Sequence, residues 1–376
     1  MKFNVQSKAL SSAVNAVSKV LNSKSAMSIL EKFLFEIDGE KLVVTGSDMD
    51  STLKYTVKIS NCDEKFKICI DAKYVVNLMK ELPDVGVDFD INTTTYEVAI
   101  SYTGGNYTLV GMSGEDYPNT MDVGETVERI SMTLPSDVVL SGIENTIFAV
   151  SAETVRPQMT GILWDFHYSD LTFVASDTHK LVRFINSNVA PGKEASFIMP
   201  AKAAGILKGV IGKETEVSMV LTDKNFVFST DNFYFSGSFI KGEFPAYNRV
   251  IPASNPYTLT VDRMQFLNAI RRMLIFIDQN NKLVKFRIKP TELIVKAEDS
   301  SYQTVGLETL RCDYTGNELV IGFSAQYLNE IFSTLTTENV IVQLADPSRP
   351  GVFTPTTNAE KCDLVVLLMP MSVNEF

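Results

Sequence analysis

The segment ICIDAKYVVNLMKEL at residues 68–82 joins an apolar strand to a helical pattern that begins beside Lys73. The segment IMPAKAAGIL at residues 198–207 has the same strand-to-helix pattern, and its Lys202 follows Lys73 by 129 residues. Self-similarity at a fixed spacing is the signature of an internal repeat, and a repeat decides the architecture of the whole chain. The two segments therefore predict that one structural unit occurs more than once.

Two further landmarks recur at the same offset of 129 residues, a strand-to-helix junction and a strand that ends in Ser-Asp. A third copy follows at offsets of 122 to 125 residues, which indicates loops of slightly different length. The chain is therefore predicted to contain three copies of one domain, at residues 1–125, 126–250 and 251–376. The matched positions are Val5, Leu134 and Leu259; Asp48, Asp177 and Asp299; and Met199 with Phe323.

Each copy is predicted to combine helices with antiparallel strands. Residues 7–20 place apolar side chains at helical spacing, and residues 71–82 form a second helix that Pro83 ends. Stretches such as FLFEI and STLKYTVKI carry the period-two patterning that is typical of half-buried antiparallel strands. The predicted class is α+β, with two helices packed on antiparallel sheets in each of three repeated domains. Linkers rich in Gly, Pro and acidic residues separate the copies at 113–128 and 243–256.

The composition is that of a soluble globular protein, with 45% hydrophobic and 21% charged residues, which excludes disordered, collagen-like and disulfide-scaffold classes. The four cysteines are dispersed, so reduced thiols are expected. No apolar run approaches the roughly 20 residues of a membrane span, and we predict no membrane partner. The opening residues lack the apolar stretch of a signal peptide, so a cytoplasmic location is expected.

Motifs of enzyme active sites are absent from the sequence, and histidine, the commonest general base, occurs only as His167 and His179. The pairs Asp48–Asp50 and Asp177–His179 could serve acid–base or metal chemistry. Alternatively, the Ser-Asp that recurs at strand ends satisfies backbone groups of a turn and is architectural. We favour the architectural interpretation and predict no catalytic residue, metal or cofactor.

Charge is distributed unevenly over the predicted elements. The formal net charge of the chain is −11, yet the six predicted helices sum to +5 and the remainder to −16. The excess of lysine can simply reflect good helix formers on solvated faces. The alternative is that the helices line one surface that faces a polyanion, with Lys202 and Lys208 among the contacts.

A set of short motifs, in order along the whole chain, resembles the bacterial DNA polymerase III β subunit family, the replicative sliding clamps. This resemblance implies a ring-forming, head-to-tail homodimer whose helices line a hole around double-stranded DNA. A ring held by topology needs only a few exchangeable phosphate contacts, so it binds DNA without sequence preference. The motifs are MKF with Leu10, Ile29-Leu30, Ser47-Asp48, residues 156–161, SDTHKL at 176–181, residues 243–252 and LLMPM at 367–371.

The resemblance also assigns residues to DNA contact and to ring closure. It implies DNA contacts at Lys24, at the end of the first helix, and at Arg156 and Gln158, although Pro157 and Gln158 stand where aromatic residues are common. It implies subunit contacts between the edge strand at 106–112 and a helix end in the third domain. An apolar pair on such a strand could instead be ordinary core. The implied subunit contacts are Tyr107, Leu109, Leu274 and Ile275.

A third site implied by the resemblance is an apolar pocket for short peptides of DNA polymerase III α subunit, the clamp loader and other clamp-binding proteins. Methionine suits such a pocket because it adapts to varied apolar partners, and His179 with Lys180 are expected at its rim. Family members usually carry Gly at Thr178, Arg at Lys180 and Leu at Met159, so a narrower pocket is expected. Any one of these residues could instead be core. The matching positions are Met159, Ser176, Thr178, His179, Lys180, Leu181, Pro245, Val250, Leu367, Met369, Pro370 and Met371.

The predicted function is therefore a non-catalytic DNA sliding clamp that tethers a polymerase to its template. A peptide-binding scaffold that does not encircle DNA is the alternative, and it predicts that the lysines of the helices are dispensable.

Overall fold

The computed structural model describes the chain except residues 23–24, 63, 119–129, 213–214, 279, 300 and 375. In chain order the helices are α1 (Ser7–Ser18), α2 (Ala72–Glu81), α3 (Ser136–Thr146), α4 (Ala201–Ile211), α5 (Arg263–Met273) and α6 (Ala325–Thr334). Short 3₁₀ helices occupy Ser28–Glu31, Ile147–Ala149, Pro157–Met159 and Tyr247–Arg249.

The strands are short and numerous, as the period-two patterning predicts. In chain order they are β1 (Lys2–Gln6), β2 (Lys32–Asp38), β3 (Lys41–Ser47), β4 (Ser51–Lys58), β5 (Lys65–Asp71), β6 (Gly86–Ile91), β7 (Glu97–Tyr102), β8 (Gly105–Val110), β9 (Met112–Ser113), β10 (Ile130–Pro135), β11 (Gly161–Phe166), β12 (Leu171–Ser176), β13 (Lys180–Asn186), β14 (Ala195–Pro200), β15 (Glu216–Leu221), β16 (Asn225–Ser229), β17 (Phe233–Ser238), β18 (Tyr257–Asp262), β19 (Leu283–Lys289), β20 (Glu292–Asp299), β21 (Thr304–Arg311), β22 (Asp313–Tyr314), β23 (Leu319–Ser324), β24 (Asn339–Leu344), β25 (Gly351–Pro355) and β26 (Cys362–Leu368).

The described residues form two compact units. The first unit comprises Met1–Asp137 and Lys202–Phe239. It holds a four-stranded sheet of order β1-β6-β7-β8 and a nine-stranded sheet of order β10-β15-β16-β17-β4-β3-β2-β5-β9. The nine-stranded sheet passes from the first predicted repeat into the second where β4 pairs with β17, so that Leu53 lies opposite Phe235.

The second unit comprises Val138–Ala201 and Ile240–Phe376. Its nine-stranded sheet has the order β14-β11-β12-β13-β26-β25-β24-β18-β22, and its four-stranded sheet has the order β21-β20-β19-β23. Here the second repeat continues into the third where β13 pairs with β26. Because sheets cross the repeat boundaries, the two compact units do not coincide with the three repeats, whose residue bounds stay predictions.

The repeat itself is visible in the register of the strands. Each of the three strands that precede a first helix places one buried apolar residue opposite another. All of the pairings between the strands are antiparallel, which confirms the predicted α+β class. The equivalent pairs are Val5 with Val87, Leu134 with Val217, and Leu259 with Val342.

Aromatic side chains fill the space between helices and sheets. In the first unit Phe3 stacks on Phe89 with ring centroids 4.8 Å apart, and in the second Phe266 stacks on Phe332 at 4.2 Å. All four are buried, and burial of side chains this large is a dominant stabilising contribution. Among the described helices, none has the length and apolar character that crossing a membrane requires.

Candidate functional site

The Ser-Asp motif builds the same hairpin corner in the first and second repeats. In the second, the Asp177 carboxylate accepts hydrogen bonds from the backbone N–H groups of His179 and Lys180 at 3.0 and 2.9 Å. The hydroxyl of Ser176 donates to the carbonyl of Lys180 at 2.8 Å. Since these carboxylate and hydroxyl groups satisfy the turn backbone, the architectural interpretation of the motif is confirmed.

The first repeat reproduces this corner atom for atom. The Asp48 carboxylate accepts from the N–H groups of Asp50 and Ser51 at 3.1 and 2.8 Å, and the Ser47 hydroxyl donates to the Ser51 carbonyl at 3.1 Å. Among the residues that the structure describes, no group of three or more His, Cys, Asp or Glu side chains is placed to hold a metal ion.

The corner of the second repeat presents two exposed side chains, Thr178 and His179. Thr178 has a backbone φ of +80°, a left-handed conformation that favours glycine and is unusual for a β-branched residue. Met49 occupies the equivalent position in the first repeat, with a φ of +77°. The turn therefore holds Thr178 and His179 outward at the surface.

Lys180 corrects one sequence-based expectation, because it does not lie at the rim. Its side chain is only 5% exposed, and its ammonium contacts the Glu330 carboxylate of α6 at 2.6 Å and Asp177 at 3.2 Å. The ammonium also lies 4.2 Å from the ring centroid of Tyr327. A charge this deeply buried requires such partners. The ion pairs of Lys180 therefore link β13 to α6.

The half-buried Tyr327 lies against Lys180 and Asp177. Burial, together with the negative charge of Asp177 and the hydrogen bond to it, raises the pKa of Tyr327 to about 12. The tyrosine therefore stays neutral at physiological pH and can donate to a carboxylate. The ring of the exposed His179 stacks over Tyr327, with ring centroids 6.2 Å apart. His179 and Thr178 are thus exposed polar side chains of this corner.

The pairing of β13 with β26 brings distant parts of the sequence together. Leu181 lies opposite Leu367, and the Met369 N–H donates to the His179 carbonyl at 2.8 Å. Both leucines belong to one buried apolar cluster, which we call the pocket floor. Met369 stays exposed beside it. The buried members of the pocket floor are Leu163, Val174, Leu181, Ile198, Val352, Val365 and Leu367.

The segment 243–256, which we call the connector, packs onto the pocket floor. The side chains of Phe244, Tyr247 and Ile251 contact the floor, whereas Pro245 and Val250 are exposed. Val250 is 56% exposed, although it is apolar. The connector thus presents predicted pocket residues to solvent, and other side chains of the same segment anchor it.

Three more predicted pocket residues are buried or half-buried, and backbone hydrogen bonds hold two of them. Met159 is buried in a 3₁₀ helix, where its carbonyl accepts from the Ser151 N–H at 2.9 Å. Met371 is half-buried and pairs with Gly322 of β23, to whose carbonyl it donates at 2.8 Å. Pro370 precedes it and is also half-buried. Neither methionine belongs to the pocket floor.

The residues predicted to contact DNA differ in their exposure. Lys24 lies outside the described residues. Arg156 is exposed and Gln158 half-buried, and Lys208 is exposed on α4. The ammonium of Lys19, which directly follows α1, approaches the backbone of Gly209 on α4, so the end of α1 and α4 place lysines on a shared surface of the first unit.

Lys202 is exposed and also makes several contacts within the first unit. Its ammonium donates to the carbonyl of Val20 at 2.8 Å and to Asn22 at 2.9 Å. It also pairs with the Asp48 carboxylate at 2.5 Å, and that carboxylate is only 6% exposed. Lys202 therefore fastens α4 to the end of α1 while 44% of its side chain stays exposed, and its contact with phosphate stays a prediction.

The predicted subunit contacts lie at a sheet edge and a helix end. β8 forms the end of its sheet among the described strands, with Tyr107 exposed and Leu109 half-buried. The helix end in the second unit leaves Ile275 75% exposed and Leu274 half-buried. Among the described strands β8 is thus a sheet edge, and Tyr107 and Ile275 are exposed and not core. The subunit contact itself stays a prediction.

A second edge was missed by the sequence interpretation. β21 ends the other four-stranded sheet and exposes Val305 and Leu307, each by about 60%. Glu308 of this strand accepts two hydrogen bonds of 2.6 Å from Arg272 of α5. Alternating apolar residues predict a half-buried strand, so the sequence offered no signal that this face is open.

Comparisons with known families cover nearly the whole chain. Sequence models of the DNA polymerase III beta subunit match its N-terminal domain at residues 1–122, its central domain at 133–246 and its C-terminal domain at 248–372. The beta sliding clamp of Bacillus subtilis is 26% identical over 382 residues and covers 99% of each chain. The beta sliding clamp of Pseudomonas aeruginosa is 24% identical, covering 99% of this chain and all of the relative.

Solved structures share the fold over the same length. The DNA polymerase III beta subunit of Thermotoga maritima has a TM-score of 0.90 at 20% identity, with 99% of each chain covered. The Pseudomonas aeruginosa sliding clamp bound to griselimycin has a TM-score of 0.91 at 24% identity, with 99% of this chain covered. The three repeats, their order and these matches show that the chain belongs to the DNA polymerase III beta subunit family, the bacterial beta sliding clamps.

Proposed function

We propose that two copies of this sliding clamp close head to tail into a ring around double-stranded DNA and tether polymerase to it. Relatives over the whole length are sliding clamps, and we infer that this chain likewise acts without chemistry of its own. Because the proposed function is exerted on chromosomal DNA, we also propose that the protein is cytoplasmic.

The main structural support for the ring is that two sheet edges, among the described strands, have no partner strand. In the second and third repeats, the third strand after the second helix pairs with the previous repeat, as β17 does with β4 and β26 with β13. The equivalent strand of the first repeat is β8, and the strand equivalent to β4 and β13 in the third repeat is β21. Both end their sheets. A second copy supplies the missing partner of each edge, and closure follows from a repeated heterologous contact.

Apolar side chains on both edges support this pairing. Tyr107 and Val110 on β8, and Val305 and Leu307 on β21, are exposed. Open strand edges with apolar residues are aggregation hazards unless a partner covers them. Pairing β8 of one copy with β21 of the next removes both hazards in each subunit.

Electrostatics support a sliding contact with DNA. The net charge of −11 disfavours tight adhesion to phosphate, whereas α1 and α4 place lysines on one surface. We propose Lys24, Arg156, Gln158, Lys202 and Lys208 as DNA contacts, with Lys19 added. Lys202 would exchange its ion pair with Asp48 for one with phosphate. Contacts this few make binding independent of sequence and sensitive to salt.

We further propose that the pocket floor and its rim bind short peptides of partner proteins, including the polymerase α subunit and the clamp loader. A buried apolar floor lies below exposed side chains of different chemistry, which is the arrangement that peptide grooves use. Met369 can adapt to different ligands. The rim consists of Thr178, His179, Pro245, Val250 and Met369.

Retention on circular DNA tests the ring directly. The chain is loaded onto nicked circular DNA with a clamp loader, and bound protein is measured before and after the circle is cut. We expect stable retention on the circle and release upon linearisation, because only topology holds the ring. Retention on the linear product would contradict the proposal and favour adhesive binding. A scaffold that does not encircle DNA, the alternative function, predicts no retention on either form.

A further inference from the structure

A partly buried hydrogen bond ties the connector to the sheet beneath it. The hydroxyl of Tyr247 donates to the carboxylate of Asp165 on β11 at 3.0 Å. Burial, together with the negative charge of Asp165, raises the pKa of Tyr247 to about 12. The hydroxyl therefore remains a donor at physiological pH. Hydrogen bonds to an ionised acceptor are stronger than neutral ones, so this contact is a firm anchor for the connector.

The anchor acts on the part of the connector that faces the proposed peptide site. Tyr247 begins a 3₁₀ turn in which its carbonyl accepts from the Val250 N–H at 3.2 Å. Phe244 and Ile251 pack onto the pocket floor on either side of this turn. Pro245 and Val250 lie between these inward residues and point away from the floor, since both are exposed. The position of Tyr247 thus determines where Pro245 and Val250 stand.

The surroundings of the hydrogen bond show that Asp165 is shared. The oxygen that accepts from Tyr247 also lies 3.5 Å from Nε2 of His167. Arg183, whose Nη2 pairs with the Asp363 carboxylate at 2.7 Å, lies near enough to act on Tyr247 electrostatically. One carboxylate oxygen of Asp165 on β11 thus faces both Tyr247 of the connector and His167.

We propose that Tyr247 and Asp165 are positioning residues for the peptide pocket, because their hydrogen bond holds Pro245 and Val250 where a bound peptide meets them. The proposal rests on the peptide site proposed above. Neither residue needs to touch the peptide. Without the bond, the connector keeps its apolar anchors but loses the contact that fixes the turn, and peptide binding must then order it at a cost.

Four variants distinguish a positioning role in peptide binding from a general effect on the stability of the protein. Tyr247→Phe and Asp165→Ala each remove the bond, Asp165→Asn keeps an acceptor oxygen, and Tyr168→Phe removes a hydroxyl from an exposed tyrosine as the matched control. Affinity is measured with fluorescently labelled griselimycin, a ligand of the Pseudomonas aeruginosa relative. We expect about tenfold weaker binding for Tyr247→Phe and Asp165→Ala, and binding within about twofold of the parent for Asp165→Asn and Tyr168→Phe. The double variant of Tyr247→Phe and Asp165→Ala should bind no more weakly than the weaker single variant.

Hydrogen exchange supplies a readout that does not depend on the ligand. In the free protein, amides 244–251 should exchange faster in Tyr247→Phe than in Tyr168→Phe, while those of β11 and β13 stay protected. Unchanged exchange in the connector, or faster exchange with unchanged affinity, would overturn the positioning role.

Val250→Asp separates failure of this inference from failure of the pocket. This substitution changes an exposed residue of the rim and should abolish griselimycin binding. Should the parent chain not bind griselimycin, or should Val250→Asp bind as the parent does, the peptide site and the positioning role would both be overturned. Loss of binding in Val250→Asp with parental affinity in Tyr247→Phe would overturn the positioning role alone.

Discussion

At the scale of single residues, Thr178 holds a strained backbone conformation at the surface of the proposed peptide site. Its φ of +80° is one that L-residues with a branched Cβ rarely adopt. Thr178→Gly should therefore raise stability by about 1 kcal/mol, because glycine accepts this conformation without steric strain. Thermal unfolding measures the gain as a Tm increase of about 2 °C.

A matched control for Thr178→Gly is available nearby. Thr160 has an ordinary φ of −84°, and its hydroxyl donates to the Pro157 carbonyl at 2.8 Å. Thr160→Gly should therefore lower the Tm, because glycine adds flexibility to the unfolded chain and removes this hydrogen bond without relieving strain. A lower Tm in Thr178→Gly as well would contradict the strain argument.

Lys180 is a residue whose importance comes from burial. Lys180→Ala removes the cation between Asp177 and Glu330 and leaves two carboxylates without it. We expect a loss of about 3 kcal/mol in the free energy of unfolding, since breaking a buried ion pair leaves an uncompensated charge. Denaturant unfolding of the variant measures this loss.

Lys65→Ala is the comparison for Lys180→Ala. It breaks the Lys65–Asp38 pair, which is also close at 2.7 Å but highly exposed. Exposed pairs contribute at most about 1 kcal/mol. Equal losses in the two variants would show that burial does not determine the contribution of Lys180.

At the scale of elements, ion pairs of Glu298 with two lysines stabilise the hairpin of β19 and β20. Hydrogen bonds from Lys285 and then Lys296 hold the pKa of Glu298 below its ordinary value. A carboxyl whose pKa is lower in the folded chain stabilises the fold above its unfolded pKa, about 4.3. That contribution is lost as the pH falls through the unfolded pKa and then the folded pKa.

Glu298→Gln should therefore reduce the Tm at pH 6 and have a progressively smaller effect toward pH 3. Calorimetry of the parent and the variant over this range measures the difference. The hydrogen bond from Arg272 lowers the pKa of Glu308 in the same direction, so Glu308→Gln should behave alike. A Tm difference that grows as the pH falls would contradict the assignment.

At the scale of the whole molecule, the proposed subunit contact joins two strand edges. Leu307→Asp places a charge on the exposed face of β21 and should shift the protein from dimer to monomer, because the charge would be desolvated on pairing. Sedimentation velocity at micromolar concentration measures the change. Tyr168→Asp alters a residue that is 65% exposed and belongs to neither edge strand, and it should leave the dimer intact. A dimeric Leu307→Asp would exclude β21 from the interface.

Much of the fold could be predicted because the signals are local. The offset of 129 residues between Lys73 and Lys202 reappears as the spacing of α2 and α4, which begin at Ala72 and Ala201. Helical and strand periodicity depends only on near neighbours along the chain. The Ser-Asp corner was also predictable, since its hydrogen bonds span four residues or fewer.

The roles of charged residues could not be predicted in the same way. Lys180 meets Glu330 across 150 residues, and Lys202 meets Asp48 across 154. A lysine in a strand or helix has the same local pattern whether it is solvated or buried, so only its tertiary neighbours reveal its state.

The sequence by itself determined the threefold repeat, the α+β class and the family, because periodic apolar residues and ordered motifs can be recognised along the chain without knowledge of tertiary contacts. The tertiary structure decided which strands join the repeats, which lysines are already neutralised and which edges stay open. These properties depend on pairing between distant residues, and pairing exists only when the chain has folded.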